Sequence, residues 1–150
     1  MDCSSYLASS YLEARSRLQN SIEDLQPETL SKRLGSSPNS IGFLLRHIGD
    51  VELLFAKNVF KQTNLQVKAQ TVIDGKDLGN WRDLTDLIAY LRHSSEEIIK
   101  VISIQKMADW NQTVTTKEFG TKTLAEAFGR VISHTAYHTG QIALIKKYGF

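Results

Sequence analysis

Cysteine, proline, net charge and long apolar runs are all scarce in this sequence, and each scarcity excludes something. Cys3 is the one cysteine among 150 residues, so no disulfide can form within the chain. Its place beside the N-terminus, where chain ends fray, argues against a nucleophile. Two prolines leave long stretches free to be helical. Lysine and arginine number 18 against 16 acidic residues, a balance of +2 without a basic block, which lacks the electrostatic footprint of a nucleic-acid surface. No apolar run approaches the roughly 20 residues of a membrane span. Met1-Asp-Cys-Ser-Ser also lacks the basic and then apolar order of a signal peptide. A cytoplasmic protein with neither nucleic-acid nor membrane partners is expected. Repeats and low-complexity tracts are missing too, so residues 1–150 read as a single domain able to bury one sizeable core.

What the sequence does have is helical periodicity. Leu7, Tyr11, Ala14, Leu18 and Leu25 place a seam along a first predicted helix, residues 6–25, with Ser4 and Ser5 as caps. Pro27 and Gly35-Ser-Ser-Pro38 break it. A second helix over residues 41–60 carries Leu44, Ile48, Val51, Phe55 and Val59 on one arc. Residues 62–80 are polar, with little period beyond Val67 and the Val72-Ile73 pair; so long a connection suits a link that climbs the length of a bundle between parallel helices. Leu84, Leu87, Leu91, Ile98 and Ile102 stripe a third helix, residues 81–104. Residues 105–122 form a loop in which Trp110-Asn-Gln-Thr-Val-Thr-Thr is placed to pair as a brief hairpin. Thr123-Leu-Ala-Glu126 then fits a capping box that launches a fourth helix over residues 123–147. Four amphipathic helices without a strand of sheet length predict an all-α four-helix bundle.

The histidines turn this frame toward chemistry. His134 and His138 are four apart on the fourth predicted helix, about 40° apart in projection and about 6 Å along its axis, so both rings can converge on one ion. His138 lies inside the arc of Leu124, Ala127, Val131, Ile142 and Ile145, and His134 at its edge. His47 faces inward from the second helix, whereas His93 sits opposite the stripe of the third and is expected in solvent. Spacing leaves open two separately satisfied core histidines as well as ligation. The grouping on two facing helices favours ligation, because it supplies three nitrogens on one side of a metal and leaves the other side open. Asp50, one turn after His47 and about 60° round the helix, is a candidate to orient a ligand or act as base, against the plainer reading of a surface carboxylate. Gln141 projects near His134 and is a candidate to bond a metal-bound water, against a packing amide. Arg46 and Tyr137 stand at the rim, Arg46 reading more simply as a solvated side chain, and Trp110 either lines an entrance or anchors its loop.

Ser40-Ile-Gly-Phe-Leu-Leu-Arg-His47-Ile, Thr123-Leu-Ala-Glu and His134-Thr-Ala-Tyr-His138-Thr-Gly-Gln141-Ile142 together resemble the DinB-like superfamily. The loop with Trp110, the Thr-Val-Thr stretch and Gly120 is similar to the one before the last helix in that family, so the likeness covers most of the chain from Ser40 onward. The resemblance implies an up-down-down-up four-helix bundle, a divalent metal ion, commonly zinc or nickel, on His47, His134 and His138, and a homodimer. It also implies a link to thiol-dependent transferases and isomerases that use bacillithiol, mycothiol or glutathione. The expected function is a divalent-metal-dependent enzyme whose three-histidine site activates a thiol or water against a small-molecule substrate, as a thiol S-transferase or hydrolase. The alternative is a non-catalytic metal-binding or interaction protein in which the ion clamps the second predicted helix to the fourth.

Overall fold

The computed structural model describes residues 2–150. The chain is mostly helical, as expected: α1 (Cys3–Ile22), α2 (Ile41–Leu54), α3 (Gln70–Asp74), α4 (Leu84–Ser103) and α5 (Leu124–Tyr148), with one small hairpin of β1 (Thr113–Thr116) and β2 (Gly120–Thr123). Capping decides where the helices begin. Asp2, not a serine, caps α1 by accepting from Ser5 N at 2.8 Å, so Cys3 is held half-buried against the core rather than frayed. Asp83 caps α4 by accepting from Asp86 N at 3.0 Å, which leaves Trp81 outside the helix that was expected to include it. The capping box of Thr123 and Glu126 opens α5 as the sequence predicts. At its far end α2 runs into a π-helical turn, Phe55–Val59, with Phe60 N bonded to Phe55 O at 3.0 Å. The predicted hairpin forms, Thr113 opposite Thr123 and Thr116 opposite Gly120. A positive φ of 71° at Gly120 suits its turn.

The four long helices pack side by side, α1 against α5, and α2 against both α4 and α5. Gly42 lies under the Trp81 backbone, Gly49 under the Tyr90 ring, and Glu52 beside Ser94, so positions along α2 meet the α4 segment in the same order. Both glycines permit that approach: a Cβ on Gly49 would come within 2.7 Å of the Tyr90 ring. Between α2 and α5 the order is reversed, with His47 beside His138 and Phe60 against Phe128. Along α1 and α5 it is the same, Tyr11 meeting Phe128 and the Ser21 carbonyl meeting Lys146.

A polar layer divides the core in two. Leu7, Tyr11, Phe55, Ile98, Trp110, Phe128 and Val131 belong to one apolar cluster, and Leu18, Ile48, Leu91 and Ile142 to the other. Between them lies Glu52, fully buried, accepting from Tyr11 Oη at 2.9 Å, Ser94 Oγ at 2.6 Å, Thr135 Oγ1 at 3.2 Å and Arg15 Nη1 at 3.5 Å. One side chain thus ties α2 to α1, α4 and α5. Burial, and then the Glu52 charge, push the Tyr11 phenol well above its usual pKa, which keeps it a donor. Trp110 is buried between Phe60 and Phe128 and donates Nε1–H to Ser4 Oγ at 2.7 Å; it anchors its loop.

The connection over residues 62–80 is less featureless than its sequence implies. Asp77, its carboxylate inaccessible, accepts from Ser40 N at 2.9 Å and Gly79 N at 2.8 Å and pairs with Arg33, which pins the link to the start of α2. Short α3 then turns Ala69 and Thr71 inward, while Val72 and Ile73, the only paired apolar signal, lie exposed.

Candidate metal centre

α5 carries His134 and His138 one turn apart, and α2 brings His47 to meet them. Ring centroids are 4.4 Å apart within the α5 pair, and 5.0 and 5.1 Å from His47 to His134 and His138. One ring nitrogen from each lies within 4.8 Å of the other two, the separation at which three imidazoles can share one ion. His93 is exposed on α4, away from the group, as its position opposite the stripe requires.

The surroundings fix which nitrogens face the centre. Thr71 Oγ1 donates its single proton to Asp50 Oδ2 at 2.7 Å, and a carboxylate can only accept. At the 3.0 Å contact between Thr71 Oγ1 and His47 Nδ1 the histidine is therefore the donor, and its lone pair is on Nε2. His138 Nδ1 makes the same kind of bond to Gln141 Oε1 at 2.6 Å, which again leaves the lone pair on Nε2. Thus α3, on a stretch read from sequence as plain linker, supplies a partner for the first histidine.

Asp50 is buried, which corrects its reading as a surface carboxylate. Arg46 Nε at 2.8 Å and Tyr90 Oη at 2.6 Å reach Oδ1, while Thr71 N at 2.9 Å and Thr71 Oγ1 reach Oδ2. Burial and then the bond to Asp50 raise the Tyr90 pKa, keeping that phenol a donor. Arg46 is not a solvated side chain either. Its guanidinium lies 3.7 Å from the Tyr90 ring centre and 4.7 Å from that of Trp81, a stacked cation locked against Asp50. Gln141, half-buried, holds His138 with its oxygen and donates from Nε2 to Tyr137 Oη at 3.3 Å, and Tyr137 is largely exposed.

All three imidazoles are easier to keep neutral than in water. Burial lowers the pKa of each, most strongly at His134, which falls to about 3 with the positive forms of His138 and His47 and the Arg130 guanidinium adding to the effect. Neutral imidazole is the form that binds metal. His134 Nδ1 is also buried with no hydrogen-bond partner, an orphaned nitrogen in the cluster. The residues present therefore fit a divalent transition-metal ion: neutral nitrogens, two of three rings backed by an outer partner, and a bare nitrogen on the third. Two cavities of about 440 and 510 Å³ lie along the seam of α1 and α4, and neither is lined by these histidines. What marks the site is its donor set.

If Thr71 holds His47 as described, Thr71→Val should cost about 10- to 100-fold in metal affinity while leaving stoichiometry at saturation unchanged. Competition with a chromogenic chelator measures this, and an unchanged affinity would remove Thr71 from the account.

A mostly helical chain brings three histidines from two long helices together in one cluster able to hold a metal ion. Residues 10–142 match the sequence model of the DinB superfamily, and the chain belongs to that superfamily. No curated protein matches the chain. None of its helices, among the described residues, is long and apolar enough to cross a membrane. Sequence reasoning named the histidines, Asp50 and Gln141 but missed Thr71 and Glu52. Arg130 was missed as well, although it precedes His134 by the same four residues that separate the two histidines.

Proposed function

We propose that the protein is a divalent-metal-dependent enzyme that uses His47, His134 and His138 as ligands, acting as a thiol S-transferase or hydrolase on a small molecule. The reading takes the four long helices as an up-down-down-up bundle, for which the matching order of contacts along α2 and α4, and the reversed order along α2 and α5, is the support. When bound, a zinc or nickel ion lowers the pKa of a thiol or water beside it, making thiolate or hydroxide available near neutral pH.

The single observation that carries the reading is the engagement of Asp50. It was the one acidic side chain near enough in sequence to close the site as a fourth ligand. Both of its oxygens are committed to Arg46, Tyr90 and Thr71, and the cluster, among the described residues, holds no fourth His, Cys, Asp or Glu. Three protein ligands and an open position are the pattern of catalytic sites, whereas structural ions are more often closed by a fourth. The same bonds make Asp50 a positioning residue rather than a base: through Thr71 it sets the tautomer of His47. Gln141 does this directly for His138. The clamp alternative would require a closed site, which this donor set does not favour.

Titration of the cobalt-substituted protein with 2-mercaptoethanol tests the proposal. Charge-transfer and ligand-field bands should change on thiol addition and vanish in His138→Ala. An unchanged spectrum at saturating thiol would favour the clamp.

A further inference from the structure

Beside the histidines lies a cation that the metal reading does not use. Arg130 sits one turn before His134 on α5, on the same face, and its charge is among the causes that lower the His134 pKa. The hairpin turn reaches over it. Glu118 takes one bond from Arg130 Nη2 at 2.9 Å, and the Phe119 ring lies 5.2 Å from the guanidinium carbon and stacks on Phe55, with ring centres 6.0 Å apart. Arg130 thus borders the site from the turn of α5 before His134, and Glu118 is attached to it through the hairpin turn.

The pair is poorly made in one respect. Arg130 Nε is buried and has no hydrogen-bond partner, although the side chain as a whole is partly open to solvent. Nε and Nη2 together form the edge of the fork that grips a carboxylate with two parallel bonds, and Glu118 occupies only the Nη2 end, through one oxygen. Glu118 itself is largely exposed and free to swing away. An exposed ion pair of this kind adds little stability, so its loss costs the fold little. A buried donor without an acceptor, by contrast, is a standing penalty that a suitable ligand relieves.

We propose that Arg130 is the binding residue for a carboxylate on the thiol or substrate that reaches the three-histidine site, with Glu118 as a built-in competitor that the incoming carboxylate displaces. The ligand class is then a small carboxylate-bearing molecule, and for the activated nucleophile a thiol acid rather than a neutral thiol. The thiol part rests on the metal-site reading above; the carboxylate part rests on Arg130 alone.

The test compares 3-mercaptopropionate with its neutral isostere 3-mercaptopropionamide on the cobalt-loaded protein. The acid should bind about tenfold tighter to the wild type, the worth of one good charge-assisted pair. Arg130→Gln should abolish that preference, and Glu118→Gln should strengthen acid binding severalfold by removing the competitor; circular dichroism establishes that both variants are folded. Equal affinities for the two thiols, or a preference that survives Arg130→Gln, would overturn the proposal. A second readout needs no metal: the Arg130 Nε–H resonance, assigned by its loss in Arg130→Gln, should shift with the acid and not with the amide. If neither thiol perturbs the cobalt spectrum, thiol activation fails while a shifted Arg130 resonance still supports the carboxylate site, and an unmoved resonance overturns it.

Discussion

A protein carrying both His134→Ala and His138→Ala should emerge from chelator-free purification with essentially no divalent ion, against about one per chain in the wild type and in His93→Ala. The expected loss is complete because three imidazoles form the cluster, and one neutral nitrogen cannot hold an ion against water and buffer. His93 is exposed on α4 and takes no part. Elemental analysis reads the outcome directly, and stoichiometric metal in the double variant would end the assignment. The pH dependence follows from the same burial. A histidine in an unfolded chain takes a proton near pH 6.5, while the buried rings resist protonation below that value, His134 down to about pH 3. Metal binding should therefore weaken little between pH 7.5 and about 6.5, because the rings are already neutral there. Below about pH 6.5 the unfolded chain binds more protons than the folded one, so the stability of the protein depleted of metal should fall as pH falls through that window. Each histidine contributes at most about 1.4 kcal/mol per pH unit. The double variant should lose most of that slope.

The three histidines were legible because helical period alone decides which face a residue takes, His47 and His138 lying inside apolar arcs and His134 at the edge of one. The same reasoning placed His93 in solvent and the capping box at the start of α5. Asp50 was not legible. It stands at the margin of its arc, and what buries it comes from elsewhere: Thr71 from a stretch without period, and Tyr90 and Arg46 closing the opposite side. Thr71 could not be found because α3 is one short turn whose apolar residues point outward, the reverse of an amphipathic helix. Arg46 was misread for a related reason, since a cation between two aromatic rings needs Trp81 and Tyr90 to arrive from a different helix and its preceding loop. The cap of α1 was misplaced because Asp2 and two nearby serines all suit the role, and only the backbone turn selects one. For Glu52 a signal did exist. Ser94 stands between Leu91 and Ile98 on the α4 stripe, and Thr135 interrupts the α5 stripe after Val131. Arg15 falls between Tyr11 and Leu18 on α1. A small or polar residue interrupting several stripes at one level is the mark of a buried polar layer, and helical period alone suffices to find it.

Glu52→Ala should destabilise the protein by about 3 kcal/mol or more, a large share of the roughly 5–15 kcal/mol that holds a domain of this size together. The substitution strips acceptors from Tyr11, Ser94 and Thr135 and leaves Arg15, only 14% exposed, with its Leu91 carbonyl bond at 2.7 Å but no counter-charge. It also opens a void between the two apolar clusters, which adds to the loss. Glu52→Gln should cost less, because the amide oxygen can still accept from Tyr11 and Thr135 while Arg15 reaches water at its exposed edge. The polar layer bears on the site as well as on stability. Thr135 follows His134 directly, and its bond to Glu52 sets α5 against α2, the two helices that carry the three histidines. Glu52→Ala should therefore weaken metal binding more than Glu52→Gln does, although Glu52 is not a member of the histidine cluster. Urea denaturation followed by circular dichroism gives the first quantity and chelator competition the second. A stability change below about 1 kcal/mol in Glu52→Ala would show that the layer relaxes without loss. Unaltered metal affinity in a clearly destabilised variant would separate the clamp on the helices from the geometry of the histidines.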